Sequence, residues 1–410
     1  MTNPINPDSW LTSKRLRAHG TTLAVCLWSL YVWTLAAPGL RDRNGNLKGT
    51  DFLHLYTLGS LAAAHRGADL YDMNAQALLA AQRVPQAAGI RYLPLYPPQV
   101  SILFLPLAYL SYGWALAVWW SCSALVYGVC CYCIWRACPN LRGEGATVVI
   151  LAIAYPAFFH LIAWGQTSAL ALGCFTLMFF ALRERREFLA GLILGCLIFK
   201  PQLGLVAAVV LVSLGAWKTI AGAVISAVAQ FAVGVLYYGI QPLREWFRVL
   251  AHMRSVLPWL EPRPYQTYSL RTFWSMLVPW PHFSIALYGL SVLVVLGLTI
   301  AAWKRASVPL ALRYSALLLA TVLVAPHLTV YDLVILAPAF LLLADWMAGQ
   351  DDSSSSHSLG TALYLVFALP LLGPLARWTH VQLAVIAVAA CVYVTWRTCE
   401  RLARVSIAQP

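Results

Sequence analysis

The chain has 410 residues, of which 60% are hydrophobic and only 10% charged, and it carries a net charge of +13. Soluble domains hold about 25% charged residues, so a water-soluble fold is excluded and an all-α integral membrane protein is the direct reading. Continuous rather than alternating apolar runs exclude a membrane β-barrel, and cations scattered between those runs argue against nucleic acid as a partner.

In chain order, the start of the sequence up to Gly20 is polar, and Lys14, Arg15 and Arg17 place the N-terminus in the cytoplasm. Residues 21–37 are just long enough to span, and Pro38-Gly39 end the run. Residues 39–93 form a first outer loop, too long for a simple connection. Within it Leu53, Tyr56, Ser60 and Ala63 recur at helical spacing, as do Ala75, Leu78, Leu79 and Gln82. Short amphipathic helices at the membrane surface are expected there.

Core helices occupy 94–240. Tyr96-Pro97-Pro98 opens the first run, which extends to Leu110. Further runs cover 113–135, 146–162 and 168–182, the last two hinged at Trp164-Gly165-Gln166-Thr167. Residues 188–214 are apolar but broken at Lys200-Pro201-Gln202, and 219–240 spans again. A second outer segment follows at 241–283. C-terminal helices then fill 284–410, with Asp351-Asp352 and Ser353 to Ser356 as a flexible loop, and Arg397, Arg401 and Arg404 hold the C-terminus inside. The whole is one membrane domain.

Two countings fit the middle of the chain, both giving about twelve crossings. In the preferred one, 188–214 is a single kinked span and the charged turn 183–187 faces out. In the other, 188–214 is a short hairpin, 183–187 faces in and one segment between Pro94 and Trp135 re-enters; the distribution of cations favours this one. The ten cysteines, among them Cys122, Cys130, Cys131, Cys133, Cys174 and Cys196, read as small hydrophobes. No spacing fits a zinc site, and no cleavable signal is evident.

Both outer segments are rich in cations: Arg41, Arg43, Lys48, Arg66, Arg83 and Arg91 in the first, Arg244, Arg248, Arg254, Arg263 and Arg271 in the second. Pairing with Asp42, Asp69, Asp72, Glu245 and lipid headgroups is one reading. A site for a phosphorylated lipid is the other, because guanidinium suits bidentate phosphate contact; Arg271, beside Tyr265, Gln266 and Ser269, is its leading candidate. Asp51, in Thr50-Asp51-Phe52-Leu53-His54-Leu55-Tyr56, is either a helix N-cap or a general base. Lys200 is either a snorkelling side chain or a functional group lining a polar cavity, and Gln166 has the same two readings. His327 is a cap or a phosphate ligand, with Asp332 orienting it.

Taken together, Asp51-Phe52 with Tyr56, Gly59 and Tyr71-Asp72, Tyr96-Pro97-Pro98 with Leu105-Pro106-Leu107, Gly165-Gln166, Leu189-Ala190-Gly191, Lys200-Pro201-Gln202, Gln266 with Ser269-Leu270, and Pro326-His327 with Tyr331-Asp332 resemble glycosyltransferase family 87. These are bacterial enzymes dependent on polyprenyl-phosphate sugars, including α-1,2-mannosyltransferases. The resemblance implies a GT-C fold with an outward-facing cavity, a bacterial inner-membrane location and a periplasmic active site. It implies a polyprenyl-phosphate sugar as donor, a lipid or glycan acceptor, inversion at the anomeric carbon, and no metal or further cofactor. Asp51 matches the catalytic base. His327, Lys200 and Arg271 would face the donor phosphate, and Gln266, Tyr56, Gln166 and His54 are further substrate-binding candidates. A transporter or flippase of a lipid-linked sugar, and a non-catalytic membrane assembly factor, are the competing readings; broken helices with an intramembrane Lys also suit a transporter.

Overall fold

The computed structural model describes residues 11–253, 261, 263–350 and 354–408. Arg254, Asp351, Asp352 and Ser353 lie outside the described residues. Among the described residues every regular element is helical, apart from two isolated bridges, Arg41 with Leu47 and Thr267 with Thr329. In an apolar surround, helices satisfy their own backbone donors and acceptors, which is why so apolar a chain adopts them.

The α-helices in order are α1 (Ser13–Leu35), α2 (Thr50–Ala63), α3 (Met73–Arg83), α4 (Gln99–Phe104), α5 (Tyr112–Arg136), α6 (Gly145–Ala154), α7 (Pro156–Trp164), α8 (Ser168–Arg183), α9 (Glu187–Gly195), α10 (Pro201–Ser213), α11 (Trp217–Tyr238) and α12 (Gln241–Ala251). After them come α13 (Leu270–Leu277), α14 (Pro281–Trp303), α15 (Leu310–Val324), α16 (Ala337–Ala348), α17 (Ser354–Ala368), α18 (Ala376–Thr379) and α19 (Leu383–Ala408). Proline in the first turn opens α7, α10, α12 and α14, where its missing N–H leaves no helical bond unmade. Helix α17 starts at Ser354, within the stretch expected to be a loop.

Among the described residues six helical stretches are long and apolar enough to cross a membrane, or seven if the pair Pro139–Ala154 and Pro156–Trp164, bent by 46°, is one span. About twelve crossings are expected from hydropathy alone. The difference lies in α1, which opens on charged residues, and in apolar helices of 10–17 residues: Gln99–Tyr109, Ser168–Arg183, Glu187–Phe199, Pro201–Ser213 and Leu310–Val324.

The hydrogen bonds decide between the two countings. Tyr112 Oη, at the start of α5, donates to the carbonyls of Lys48 and Gly49 at 2.8 and 2.9 Å. The start of α5 therefore lies at the Asp51 end, and Gln99–Tyr109 doubles back beside α2 instead of crossing. Ser168 opens α8 at that same end. Helix α8 leads away, α9 and the 3₁₀ turn Cys196–Phe199 return, and Lys200 meets Ser168 again with Nζ–Oγ 3.1 Å. Helix α10 then leads away once more. Helix α11 returns, and its Tyr237 and Tyr238 hydroxyls reach Ala62 O and Ser101 Oγ. Residues 188–214 thus form an antiparallel hairpin, and the preferred single kinked span is corrected. Proline after Lys200 removes a helical N–H and favours the break.

Helix α9 crosses α11 at backbone contact: a Cβ on Gly191 would stand 2.0 Å from Thr219 O. The Leu189-Ala190-Gly191 motif therefore serves packing. Helix α15 is buried from Tyr314 through Val324 and forms the axis of the larger core. Helix α2, expected at the membrane surface, is instead buried from Phe52 to Ala62 in a smaller core. Its apolar residues occur on every side, so it has no face to offer to water.

Candidate functional site

The site is built at the N-terminus of α2. Gly49, at φ +63°, is the N-cap, and no side chain caps this helix. Asp51 therefore sits inside the first turn, where the helix dipole favours negative charge, and the N-cap reading of Asp51 is corrected. Its Oδ2 accepts a hydrogen bond from Gln166 Nε2 at 2.5 Å. Gly165, at φ +72°, turns the chain after α7 and presents Gln166; a Cβ there would lie 2.7 Å from Phe52 Cβ. Trp119 Nε1 donates to Gly165 O at 2.9 Å and anchors the turn. Gln166 Oε1 accepts from Tyr96 Oη and from Thr167 N, both at 3.4 Å, so the amide nitrogen must face Asp51.

Asp51 is half-buried, and its Oδ1 has no hydrogen-bond partner among the described residues. Burial raises its pKa from 3.8 to about 6, while the Gln166 bond and the Lys200 charge pull it down and Asp332 pushes it up. A carboxylate poised near neutral pH can take a proton from a hydroxyl and hand it on.

A polar chain leads inward from this pair. Tyr96 Oη lies 3.3 Å from Thr167 Oγ1, and Ser168 follows next in sequence. Lys200 Nζ donates to Asp332 Oδ1 at 2.7 Å, and Ser168 Oγ donates to the same oxygen at 2.5 Å. Asp332 Oδ2 accepts from Thr329 N and Oγ1 at 3.2 and 3.3 Å. Lys200 also stands over the Tyr331 ring at 5.2 Å. Both charges of the pair are buried, so the snorkelling reading of Lys200 is corrected. Asp332 holds Lys200, not His327.

His327 and Arg271 meet instead on Glu261. His327 Nδ1 lies 2.7 Å from Glu261 Oε1, and Arg271 forms an ion pair with Glu261 Oε2. Arg271 Nε also donates to Pro326 O at 2.6 Å. Burial alone would raise the Glu261 pKa, but the His327 hydrogen bond and the Arg271 charge outweigh it and hold it below its ordinary value. Sequence reasoning brought Arg271 and His327 forward and missed Glu261, a carboxylate placed among cations in an outer segment.

The remaining candidates separate. Tyr56 Oη donates to Leu110 O at 2.8 Å and accepts from Arg83, which is a packing role. His54 is buried, stacked on Tyr92 at 5.0 Å, with Nε2 unpartnered among the described residues. Burial lowers its pKa to about 4, so it is neutral at physiological pH. Gln266 is half-buried in the turn Pro264–Gln266. Asp72 caps α3 through the amides of Asn74 and Ala75. The described residues hold no group of three His, Cys, Asp or Glu side chains able to ligate a metal ion.

Fold and site together define a helical membrane protein with a buried Lys200–Asp332 pair beside the Asp51–Gln166 bond. The model of glycosyltransferase family 87 matches residues 95–331, more than half of the chain. The chain belongs to glycosyltransferase family 87, and with its apolar helices it is a membrane glycosyltransferase. The matched stretch takes in Tyr96, Gln166, Lys200, Gln266, Arg271 and His327; Asp51, His54 and Tyr56 lie upstream of it. A comparison with curated proteins and with solved structures finds no match.

Proposed function

We propose that this protein transfers a hexose, mannose first among the candidates, from a polyprenyl-phosphate sugar to a hydroxyl of a lipid or glycan, inverting the anomeric centre. Asp51 is the general base. The acceptor O–H proton passes to Asp51 Oδ1 as the acceptor oxygen forms its bond to the anomeric carbon. The bond from that carbon to the phosphate oxygen breaks, and polyprenyl phosphate leaves with the electron pair. Arg271 and His327, held at a fixed spacing by Glu261, and Lys200, held by Asp332, donate hydrogen bonds toward the leaving phosphate. The reading needs no metal, because cationic side chains take that part, and it needs no cofactor beyond the lipid-linked donor.

One observation carries this reading: an ionisable carboxylate, fixed through one oxygen by Gln166 and free at the other, sits against segments of the glycosyltransferase match. Arg183, Arg185, Arg186, Lys218, Lys304 and Arg305 stand toward the opposite end of the helices. By the positive-inside trend this supports an Asp51 end facing the periplasm of a bacterial inner membrane, with both termini cytoplasmic.

Purified protein supplied with radiolabelled polyprenyl-phosphate mannose and membrane lipid extract should form a labelled product, and Asp51→Asn should reduce the rate by at least about 10²-fold with folding unchanged. Donor movement across a bilayer without any new glycosidic product would give the flippase reading instead. Normal turnover by the Asn variant would remove Asp51 from the chemistry.

A further inference from the structure

A separate cleft of about 970 Å³ opens between α3 and the first turn of α5. One side of it is polar, with Gln82, Arg83 and Gln86; the other is aromatic and apolar, with Tyr109 and Trp114. A volume of this size suits a small-molecule ligand.

Arg83, which lines it, and Arg41 and Lys48, in the loop that adjoins it through Gln86, lack counter-charges among the described residues. Arg83 donates to Tyr56 Oη and Ala108 O. Arg41 donates to the carbonyls of Gly45 and Gln86, and Lys48 to those of Ala37 and Gly39. Among the described residues none of these three cations forms an ion pair. Asp42, the only carboxylate in the loop 41–48, is turned onto the amides of Asn44 and Asn46. Elsewhere cations of the same outer segments do find carboxylates, as Arg66 with Asp69 and Arg271 with Glu261. Positive charge left uncompensated beside a cleft calls for an anion.

The apolar side says which kind. Helix α5 is one of the candidate spans, and the cleft lies at its first turn. Trp114, Val118, Leu125, Val129 and Tyr132 are exposed along it. At helical spacing these five fall within about 60° of one another and extend for about 27 Å, close to the thickness of a hydrocarbon layer. Exposed Tyr109 and Trp114 are residue types that favour headgroup depth. A cationic pocket at that depth, continuous with an apolar stripe below, matches a molecule with an anionic head and long chains.

We propose that this cleft seats the phosphate headgroup of an anionic membrane lipid, with its chains lying along the Trp114–Tyr132 stripe of α5. The assignment is independent of the transfer reaction. Arg83 is the main phosphate contact, and its guanidinium has N–H groups left over after its bonds to Tyr56 and Ala108.

Full-length protein in neutral detergent is titrated with phosphatidylglycerol or phosphatidylcholine of matched chains, and bound lipid is counted by native mass spectrometry. Phosphatidylglycerol should be retained in preference. Arg83→Ala and Gln82→Glu should each weaken it by roughly fivefold or more while leaving phosphatidylcholine unchanged. Gln82 is exposed on α3, so its variant tests the charge even if removal of Arg83 disturbs packing at Tyr56. Equal retention of the two lipids, or phosphatidylglycerol binding unaltered in the Gln82→Glu protein, overturns the proposal. Displacement of bound lipid by glycerol phosphate at comparable concentration also overturns it, because the cleft would then hold a soluble phosphate.

Discussion

Asp51 is held through one oxygen by Gln166, and its other oxygen has no hydrogen-bond partner among the described residues. Gln166 lowers the pKa that burial raises, so its loss has a readable consequence. Gln166→Leu should move the acid limb of kcat/KM upward by about one to two pH units, since a hydrogen bond to a charged group contributes about 1.5–3 kcal/mol and a pKa unit is 1.36 kcal/mol. A pH–rate profile of transfer checks this; an unmoved limb would reduce Gln166 to a packing role. Asp51 makes a second prediction. Its folded pKa of about 6 exceeds its ordinary 3.8, so the folded chain holds that proton more tightly than the unfolded one. The stability associated with the protonated form is complete below about pH 4 and declines as pH rises to about 6. Asp51→Asn escapes the decline: its thermal midpoint in detergent should exceed that of the parent above pH 6 and coincide with it near pH 4. Asp51 was legible in the sequence because a carboxylate in so apolar a chain stands out. Glu261 was not, because a carboxylate among arginines in an outer segment looks like ordinary surface pairing.

At the scale of elements, the buried pair of Lys200 and Asp332 ties the tip of the α9–α10 hairpin to the 3₁₀ turn Val330–Leu336 and to the start of α8. Removing one partner strands the other charge away from water. Asp332→Asn or Lys200→Met should cost about 3–5 kcal/mol, and the double replacement Lys200→Met with Asp332→Leu should recover most of it. Unfolding of the purified variants measures both values, and additive losses would mean that the two charges are not coupled. Both residues could be singled out from sequence, yet Asp332 was matched with the wrong partner. His327 is five positions away and Lys200 is 132 positions away, and nearness along the chain is a poor guide once helices fold back. Helix α2 shows a similar limit. Its period was readable, but the pattern alone cannot distinguish a helix on a membrane surface from one enclosed by others.

For the molecule as a whole, the hairpin at 188–214 fixes the sidedness of the middle of the chain. Compartment reporters fused after Glu184, Lys218 and Lys304 should all report the same side, and one fused after Gly45 the other. A reporter after Glu184 that agrees with Gly45 would restore the single kinked span. The sequence by itself determined that the protein is helical and membrane-embedded, because hydropathy and backbone satisfaction are properties of local stretches. Motif order likewise sufficed for the family. Only the tertiary structure decided that Gln166 serves Asp51, that Lys200 serves Asp332 and that Glu261 joins Arg271 to His327. Each of those pairings brings together groups from separate segments, and their positions depend on how short helices and close glycine contacts fold the chain back on itself.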